Sequence, residues 1–395
     1  MVKPLSPIEA EERIFSLRGE VLPESCSLDE AVAKILRQDI AADHNLPSFD
    51  RVMMDGLAVR SNGCRRFLIQ GVAAAGQPQI ALPPAEDAAI EVMTGAVLPD
   101  GADAVLPCEW YDFHDGVAVL QPGKAAKAGE FIHRQGSDHR AGDALLRSGI
   151  GLGPVEIGIA AACGCAEIQV AAPLRIAVLG TGDELVSVGE VPKAGQIRRS
   201  NTHALAAALQ LAGHGPIATG CLRDDPEDLR QGLAAVLSEN DLVVLTGGVS
   251  KGRWDLVPEI LVSLGAVSIL HGIAQRPGKP MGVWQMPGGQ VVFGLPGNPV
   301  SALVCLHRYV LPALSRWSGE SMATRPRRIL RGEFTKPTGL TLFLPVREMS
   351  NGTVAPAPVA NSGDFAGLAG SHGFVEVDES FAEGEAAPYF PWFAK

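Results

Sequence analysis

The second half of the chain alternates continuous apolar runs with amphipathic segments, and this alternation predicts its fold. Apolar runs that suit buried strands are LRIAVLG (174–180), DLVVLTGG (241–248) and VSILHGI (267–273). Segments with apolar residues at helical spacing are NTHALAAALQLAG (201–213), PEDLRQGLAAVLSE (226–239) and WDLVPEILVSLG (254–265). Because strands buried on both faces are apolar throughout, the pattern predicts an α/β unit whose parallel sheet is covered on both faces.

The first half of the chain has two other sequence patterns. Ser6-Pro7-Ile8-Glu9 and Ser27-Leu28-Asp29-Glu30 both have the spacing of a capping box and predict two opening helices. From residue 47 to about 135, short alternating segments such as FLIQGVA and GVAVLQP are separated by Gly, Pro and Asp. This texture predicts a small, mostly β domain.

Two further segments indicate domain boundaries. Residues 136–172 return to mixed, alanine-rich sequence. A basic segment with a proline, ATRPRR (323–328), precedes short strands and turns. We therefore expect a separate β module after the α/β unit.

The composition narrows the class of function. Of the 395 residues, 46% are hydrophobic and 19% are charged, as in globular proteins. The net charge of −11 argues against non-specific binding to DNA, RNA or anionic lipid, which needs cationic surface. The seven cysteines contain no C-x-x-C spacing, so they predict neither a disulfide framework nor a zinc cluster. With no signal-peptide core and no long apolar run, we expect a cytoplasmic protein without a membrane partner.

Three glycine-rich loops follow predicted strands: GTGDE (180–184), TGGVS (246–250) and GLPGN (294–298). Ligands bind beyond the carboxyl ends of strands in such sheets, and glycine allows the backbone to approach them closely. None of the loops matches a Walker A or G-x-G-x-x-G motif. Each one alone could be an ordinary tight turn, but three at one sheet edge predict a ligand site.

Charged and capping residues near these loops indicate the chemistry of the ligand. Asn298 suits an N-cap and Pro299 the first helical position, where free backbone N–H groups attract anions. Arg276 and Lys279 flank Gly278 in a proline-bounded loop, and such paired cations suit phosphate or another oxyanion.

Carboxylates near these loops could hold a divalent cation. Asp224, Asp225 and Asp255 offer the oxygen ligands that Mg²⁺ prefers. Asp225 is an equally good N-cap for a helix beginning at Pro226, and both roles remain open.

These segments together resemble the MoeA family, the molybdopterin molybdenumtransferases of molybdenum-cofactor synthesis, which are related to the E domains of gephyrin and plant Cnx proteins. They occur in family order across nearly the whole chain. They are SFDRVMMDGLAVR (48–60), VMTGAVLPDGADAVLPCE (92–109), RQGSDHRAGD (134–143), VLGTGDEL (178–185), RDDPEDL (223–229), TGGVSKGRWD (246–255), RPGKP (276–280) and GLPGNPVSA (294–302).

The resemblance implies a multi-domain fold of the α/β plus β class. The implied parts are a linking domain (1–45 and 136–172), an inserted mostly-β domain (46–135), a MogA-like molybdopterin-binding α/β domain (173–322) and a C-terminal β barrel (323–395). It further implies an elongated homodimer in which the α/β domain of one subunit faces the inserted domain of the other.

The implied reaction takes adenylylated molybdopterin and molybdate, inserts the metal into the dithiolene and releases AMP with the help of Mg²⁺ or another divalent cation. The dithiolene supplies soft sulfur ligands, so the protein need not contribute cysteines. The implied partners also include a MogA-type adenylyltransferase and molybdoenzyme apoproteins.

Site residues carry over from the family position by position. The implied catalytic residues are Asp55, Thr94, Asp138, Glu184 and Asp255, and the implied metal ligands are Glu184, Asp225 and Asp255. The implied substrate-binding residues are Gly180, Thr181, Gly182, Thr246, Gly247, Gly248, Ser250, Arg276, Gly278, Lys279, Pro296, Gly297, Asn298, Pro299 and Ser362.

The chain departs from the family pattern at several of these places. Arg276 replaces the first lysine of the usual KPGKP loop, Arg51 stands where an asparagine is usual, and Pro345 replaces an arginine in the C-terminal module. These changes concern the molybdate subsite more than the AMP subsite. Two alternatives to molybdate insertion are a molybdopterin adenylyltransferase and a non-catalytic scaffold like gephyrin.

Overall fold

The computed structural model describes residues 4–249, 255–321, 324–382 and 384–393. The chain divides into two compact units. The larger unit comprises Met1–Gln38, Ser148–Pro154 and Glu167–Lys395, and the smaller unit comprises Asp39–Arg147 and Val155–Ala166.

Helices and strands follow one another along the described residues. The α-helices are α1 (Pro7–Phe15), α2 (Pro154–Ala162), α3 (Ser200–Leu211), α4 (Pro226–Glu239), α5 (Val257–Ser263), α6 (Pro299–Cys305) and α7 (Leu311–Trp317). The strands are β1 (Pro23–Ser27), β2 (Ile40–Ala41), β3 (Arg51–Val52), β4 (Gly56–Val59), β5 (Arg66–Ala73), β6 (Ala88–Val92), β7 (Ala104–Pro107), β8 (Tyr111–His114), β9 (Val117–Leu120), β10 (Ile132–His133), β11 (Ala144–Leu146), β12 (Glu167–Ala171), β13 (Ile176–Thr181), β14 (Leu185–Val186), β15 (Ile197–Arg198), β16 (Ile217–Leu222), β17 (Leu242–Thr246), β18 (Val267–His271), β19 (Gln275–Arg276), β20 (Gly282–Gln285), β21 (Val291–Leu295), β22 (Arg327–Ile329), β23 (Thr341–Glu348), β24 (Val354–Pro356), β25 (Gly373–Val377) and β26 (Ala386–Pro391). None of the helices in this part of the chain combines the length and apolar character that a membrane crossing needs.

The larger unit is built on a six-stranded sheet with the order β16-β13-β17-β21-β20-β18. Strands β16, β13, β17 and β21 run parallel, which confirms the predicted core of a parallel sheet. The sheet is nevertheless mixed, because β20 pairs antiparallel with both β21 and β18. Only residues 286–290 separate β20 from β21, which is too short for the crossover that parallel strands need. The expectation of a wholly parallel sheet is therefore wrong at β20.

Helices cover both faces of this sheet, as the apolar runs predicted. Alternate residues of β17 point to opposite faces. Val244 lies in a core cluster with Leu209 of α3, whereas Val243 lies in another cluster with Leu233 of α4 and Leu261 of α5. Because both faces are buried, a polar residue in β17 would have no solvated side to face.

The two predicted capping boxes have different outcomes. Ser6 caps α1 as predicted: its backbone N–H donates to the Glu9 carboxylate at 2.7 Å, and its Oγ accepts from the Glu9 N–H at 3.3 Å. The second predicted helix is wrong, since Leu28–Glu30 forms a single 3₁₀ turn. Ala33 has a positive φ of 64°, and its N–H donates to the Leu152 carbonyl at 2.9 Å. Tertiary pairing thus takes the backbone donor that a longer helix would use.

The smaller unit contains a second six-stranded sheet with the order β7-β4-β6-β5-β9-β8. Its strands lie within the alternating segments from which a mostly β domain is predicted. Two apolar clusters pack against it, one around Ile90 and one around Phe67. The mixed segment after this sheet contains α2.

The C-terminal residues form a third sheet with the order β19-β23-β25-β26-β22, and β24 pairs with β23. Leu330, directly after β22, forms a bridge with Val354 of β24, and the Arg331 N–H donates to the Val354 carbonyl at 2.9 Å. These contacts link the segment after β22 to β24. Among the described strands, the two edge strands β19 and β22 do not pair with each other, so the closed barrel stays a prediction. Strand β19, which precedes the cationic loop, belongs to this sheet.

Candidate functional site

A pocket of about 260 Å³ lies where β13, β17 and β21 end, as the three glycine-rich loops predicted. Because these strands are parallel neighbours, their carboxyl ends meet at one edge. Predicted residues in its lining are Gly180, Thr181, Glu184, Thr246, Gly247, Gly297 and Pro299. Further lining residues are Leu185, Ile197, Arg198, Arg199, Ser200, Asn201, Thr202, Gly363 and Phe365.

Asn201, at the start of α3, ties the loops of the pocket together. Its Nδ2 donates to Thr246 Oγ1 at 3.0 Å and to the Gly297 carbonyl at 2.7 Å. Thr246 Oγ1 in turn donates to the Pro296 carbonyl at 3.2 Å. The geometry of the pocket therefore depends on a side chain amide that joins the loops after β17 and β21.

The predicted glycines are needed for close backbone packing inside the site. Gly247 has φ +97°, and a Cβ there would lie 2.5 Å from the Thr181 carbonyl oxygen. Gly248 has φ +62°, and its Cβ would lie 2.7 Å from Thr181 Oγ1. Side chains are strained at such φ values and would separate the two strand ends.

Asn298 takes the N-cap position of α6, although its side chain makes no capping hydrogen bond. Its Nδ2 instead donates to Ser362 Oγ at 2.9 Å, and the Val300 N–H donates to the Ser362 carbonyl at 3.1 Å. The segment between β24 and β25 therefore brings the predicted residue Ser362 against Asn298, next to Gly363 of the pocket lining.

Two buried polar atoms in the lining lack a hydrogen-bond partner among the described residues: Thr181 Oγ1 and Arg199 Nε. Thr181 is only 3% exposed. Buried polar groups in native proteins are almost always paired, so unpaired ones in a pocket are suited to a polar ligand. A hydroxyl and a guanidinium would suit an anionic or hydroxyl-rich ligand.

Acidic side chains lie beside this pocket. Burial raises the pKa of Asp224 above its usual range, and the nearby charges of Asp183, Glu184 and Asp255 raise it further. The Asp224 N–H donates to the Asp183 carboxylate at 3.3 Å. A cation beside these like-charged carboxylates would stabilise them.

The predicted metal ligands are only partly brought together. Asp225 caps α4, with its Oδ1 accepting from the N–H groups of Glu227 and Asp228 at 3.0 Å each. Among residues 4–249, 255–321, 324–382 and 384–393, no group of three or more His, Cys, Asp or Glu could hold a metal ion. Metal binding by Glu184, Asp225 and Asp255 stays a prediction.

The cationic loop lies at the other end of α6 from the pocket. Arg276 and Lys279 are exposed and lie outside the pocket lining. Gly278 between them contacts the Cys305 side chain, at the C-terminal end of α6. Seven residues of α-helix span about 10 Å, so α6 connects the two regions over that distance.

In the smaller unit, the predicted residues Asp55 and Thr94 contact each other, whereas the predicted residue Asp138 contacts a histidine. Asp55 Oδ1 accepts from the Thr94 N–H at 2.6 Å and from Thr94 Oγ1 at 2.7 Å, and these bonds lower the pKa of Asp55. Asp138 lies 2.8 Å from His133 Nε2, and this hydrogen bond lowers the pKa of Asp138. Both carboxylates are thereby kept ionised and oriented. The predicted residue Ser250 lies outside the described residues.

Two family models match most of this chain. The family model "MoeA N-terminal region (domain I and II)" matches residues 5–164, and "Probable molybdopterin binding domain" matches residues 177–316. The molybdopterin molybdenumtransferase of Synechocystis sp. is 38% identical, covering 92% of this chain and 94% of that protein. The chain belongs to the MoeA family.

Other MoeA relatives extend the comparison. Molybdopterin molybdenumtransferase 2 of Mycobacterium tuberculosis is 34% identical over 91% of this chain and 92% of its own. A crystal structure of the molybdopterin biosynthesis MoeA protein of Pyrococcus horikoshii has a TM-score of 0.79 and 29% identity, and it covers 100% of both chains. The resemblance to the MoeA family is thus confirmed over the whole chain.

Three residues that depart from the MoeA pattern, Arg51, Pro345 and Arg276, have defined contacts in the structure. The Arg51 guanidinium lies 3.0 Å from His133 Nδ1, the opposite ring nitrogen from the one that faces Asp138. Arginine can only donate, so this contact makes Nδ1 the acceptor and leaves Nε2–H to donate to Asp138. Pro345 lies in β23 opposite Phe374, and its carbonyl accepts from the Ala357 N–H at 2.9 Å. Arg276 lies in β19, beside Leu342 of β23.

Sequence reasoning missed Asn201 and the two arginines before it, Arg198 and Arg199. They belong to the segment IRRSN (197–201), whose paired cations directly before a predicted helix were a readable signal. Asp183 belongs to the predicted GTGDE loop, but the sequence pattern gives it no role of its own. Asn201 and the two arginines owe their place in the site to α3, which begins beside the ends of β13 and β17.

Replacing Thr94 by valine should raise the pKa of Asp55, because it removes one of two donors and keeps the backbone donor. Asp55 is ionised above its lowered pKa and loses its charge as the pH falls through that value. We expect the acid limb of the activity profile of Thr94→Val to move to higher pH. This can be measured as the pH dependence of AMP release.

Ser61→Ala provides a matched control for this change. Ser61 also donates through its N–H (2.7 Å) and its hydroxyl (2.8 Å) to one carboxylate, that of Asp103, within the same unit. An unchanged acid limb in Thr94→Val, or an equal shift in Ser61→Ala, would contradict a specific role for the Thr94–Asp55 pair.

Proposed function

We propose that this chain inserts molybdate into the dithiolene of adenylylated molybdopterin and releases AMP in a reaction that depends on Mg²⁺. The observation that carries the proposal is the pocket at the ends of β13, β17 and β21, where Thr181 Oγ1 and Arg199 Nε lack partners among the described residues. Its support is membership of the MoeA family together with homologues named molybdopterin molybdenumtransferase.

The pocket suits the nucleotide and pterin parts of such a substrate. Gly180, Gly247 and Gly297 leave the backbone free of side chains, and Arg198 and Arg199 supply cations next to it. Phosphate oxygens would accept hydrogen bonds from the unpaired guanidinium nitrogen. The net charge of −11 makes such a local cationic surface necessary for an anionic substrate.

The acidic side chains suit Mg²⁺ once substrate phosphate is present. Mg²⁺ is usually bound by one or two carboxylates together with phosphate oxygens and water, so a preformed protein cage is not required. Glu184 and Asp255 would hold the ion as the family implies, and Asp183 and Asp224 lie close enough to share its charge. When bound, the ion would neutralise the pyrophosphate and make AMP a better leaving group.

Arg276 and Lys279 would bind the molybdate oxyanion, with Asp55, Thr94 and Asp138 completing the site. Cationic side chains on a rigid loop are suited to a tetrahedral dianion. The sulfur ligands come from the substrate, which agrees with seven free cysteines that form no metal cluster in the described part of the chain.

The proposal includes a homodimer, because the site would combine the larger unit of one subunit with the smaller unit of another. It keeps the four-part domain layout, with boundaries at 45/46, 135/136, 172/173 and 322/323 and a C-terminal barrel. A cytoplasmic location and exchange of substrate with a MogA-type protein belong to the same proposal.

The experiment uses the purified full chain, adenylylated molybdopterin, molybdate and Mg²⁺, and follows AMP by chromatography. AMP release that requires both molybdate and Mg²⁺ is the expected result. Formation of adenylylated molybdopterin from molybdopterin and ATP would instead favour the adenylyltransferase alternative. Substrate binding without any AMP release would favour a scaffold.

A further inference from the structure

Helix α6 continues into a π-helical turn, Leu306–Val310, and then into α7. Pro312 follows this turn, and a proline cannot donate to the carbonyl four residues before it, that of Arg308. A π-turn is a common way to absorb such a lost bond, and these turns are frequent at functional sites. All five residues of the turn are buried, so its polar side chains must find partners inside the protein.

One of these side chains, Tyr309, begins a chain of hydrogen bonds that ends on the cationic loop. Its hydroxyl donates to Gln275 Oε1. Gln275 Nε2 then donates to the Pro277 carbonyl at 3.2 Å and lies 3.5 Å from Cys305 Sγ. The Cys305 thiol lies 3.8 Å from the Gly278 carbonyl, a weak contact to the next carbonyl of the loop.

The direction of each donor in this chain is determined. Burial raises the pKa of Tyr309 well above its usual range and that of Cys305 to about 12, so both keep their protons at neutral pH. Because the Pro277 carbonyl can only accept, Gln275 must present its NH₂ group to Pro277 and Cys305 and its oxygen to Tyr309, to which the hydroxyl donates. Gln275 is 0% exposed, so water cannot replace any of these partners.

The backbone of the cationic loop packs directly against the side chains of Gln275 and Cys305. Gly278 has φ +90°, and a Cβ there would lie 2.5 Å from Cys305 Sγ and 2.7 Å from Gln275 Nε2. The backbone between Arg276 and Lys279 therefore rests directly on the side chains that bond to it. The two cations themselves are exposed, and exposed cations lose most of their binding energy if their backbone is mobile.

We propose that Tyr309, Gln275 and Cys305 are positioning residues, which hold the backbone of residues 276–279 and so set the geometry in which Arg276 and Lys279 receive an oxyanion. This inference rests on the proposed function for the identity of the oxyanion, which is molybdate. The positioning itself is a property of the loop and can be measured without turnover.

The central variant is Tyr309→Phe, which removes the first donor and leaves the ring in place. We expect amide hydrogen exchange in the peptide covering 276–281 to accelerate about tenfold, because the Gln275 amide loses its anchor. We also expect the KM for molybdate to rise about tenfold with a smaller change in kcat, because loosely held cations bind the oxyanion less well.

Tyr389→Phe is the matched control. Tyr389 is 3% exposed, and its hydroxyl donates to Glu348 at 3.2 Å and to the His372 carbonyl at 3.0 Å, all within the C-terminal sheet. This variant should leave exchange in 276–281 and the KM for molybdate unchanged. If Tyr309→Phe does not fold, Cys305→Ala removes the contact to Gly278 and should accelerate exchange in the same peptide.

Unchanged exchange at 276–281 in both Tyr309→Phe and Cys305→Ala would overturn the inference, as would equal acceleration in Tyr389→Phe. Exchange that accelerates while the KM for molybdate stays constant would also overturn it, because the loop would then not set the oxyanion geometry. If the unmodified protein shows no molybdate-dependent AMP release, the proposed function fails. Exchange, together with the change in affinity for molybdate measured by calorimetry, then decides the positioning role.

Discussion

Glu184→Gln should lower molybdate-dependent AMP release by about a hundredfold or more, a loss typical of removing a group that acts on the transition state. Glu184 lines the pocket, and a Cβ at Gly182 would lie 2.4 Å from its Oε2, so the carboxylate lies directly over the GTGDE loop. Its negative charge is one of those that raise the pKa of Asp224. Glutamine keeps the shape and removes the charge that would attract Mg²⁺ to the substrate phosphates.

The fold should not suffer from this change. Removing one of several repelling carboxylates lowers the pKa of Asp224 towards its usual value, which relieves repulsion above that pKa. We therefore expect an unchanged or slightly higher melting temperature, measured by differential scanning fluorimetry.

Glu190→Gln is a suitable control for the loss of charge. Glu190 lies on an exposed turn near the pocket, and its backbone carbonyl accepts from Arg198 Nε at 3.1 Å. Its substitution keeps that contact and removes one unit of negative charge nearby. Full activity in Glu184→Gln, or an equal loss in Glu190→Gln, would contradict the role given to Glu184.

Glu376→Ala should reduce the free energy of unfolding by about 3 kcal/mol, because it breaks a buried ion pair and leaves the other charge in place. The Arg308 side chain is 0% exposed, with its Nε 2.8 Å from Glu376 and its Nη1 2.7 Å from Glu11. Its Nη2 has no partner among the described residues. Loss of Glu376 would leave two nitrogens of a buried guanidinium without acceptors.

This arginine connects three parts of the larger unit. Glu11 belongs to α1, Arg308 to the π-helical turn and Glu376 to β25. Urea unfolding followed by tryptophan fluorescence can measure the loss, and Glu333→Ala, on an exposed turn, should cost less than about 0.5 kcal/mol.

The double variant Arg308→Met with Glu376→Met tests the reason for the loss. A buried pair can often be replaced by apolar side chains of similar volume at little cost, and Glu11 keeps its ion pair with Arg325, so this variant should be more stable than Glu376→Ala. Equal destabilisation of the double variant would mean that packing, and not the unpaired charge, dominates.

The sequence predicted those elements whose hydrophobic pattern has one solution. The runs ending at Gly180 and Thr246 are buried on both faces, and only a helix-covered sheet can accommodate them. The same pattern could not show that β20 reverses direction, because VWQ reads equally well in either orientation. The direction of β20 is determined by its connection to β21, which is too short for a crossover.

Local signals failed where a distant segment competed for the same backbone groups. Ser27 and Glu30 have the spacing of a capping box, yet the N–H groups of Ala33 and Leu36 donate to carbonyls more than a hundred positions away along the chain. For Asp225, the sequence left a helix cap and a metal ligand equally open. The structure shows the cap.

By itself the sequence determined the family and the positions of the three glycine-rich loops. Glycine at a strand end allows backbone conformations that other residues avoid, and proline restricts the chain, in any context. Only the tertiary structure decided that Asn201 joins two loops, that Arg199 lies in the pocket and that Tyr309 supports a loop about thirty residues before it. These contacts join residues far apart in sequence, and side chain direction across a packed interface depends on the whole core.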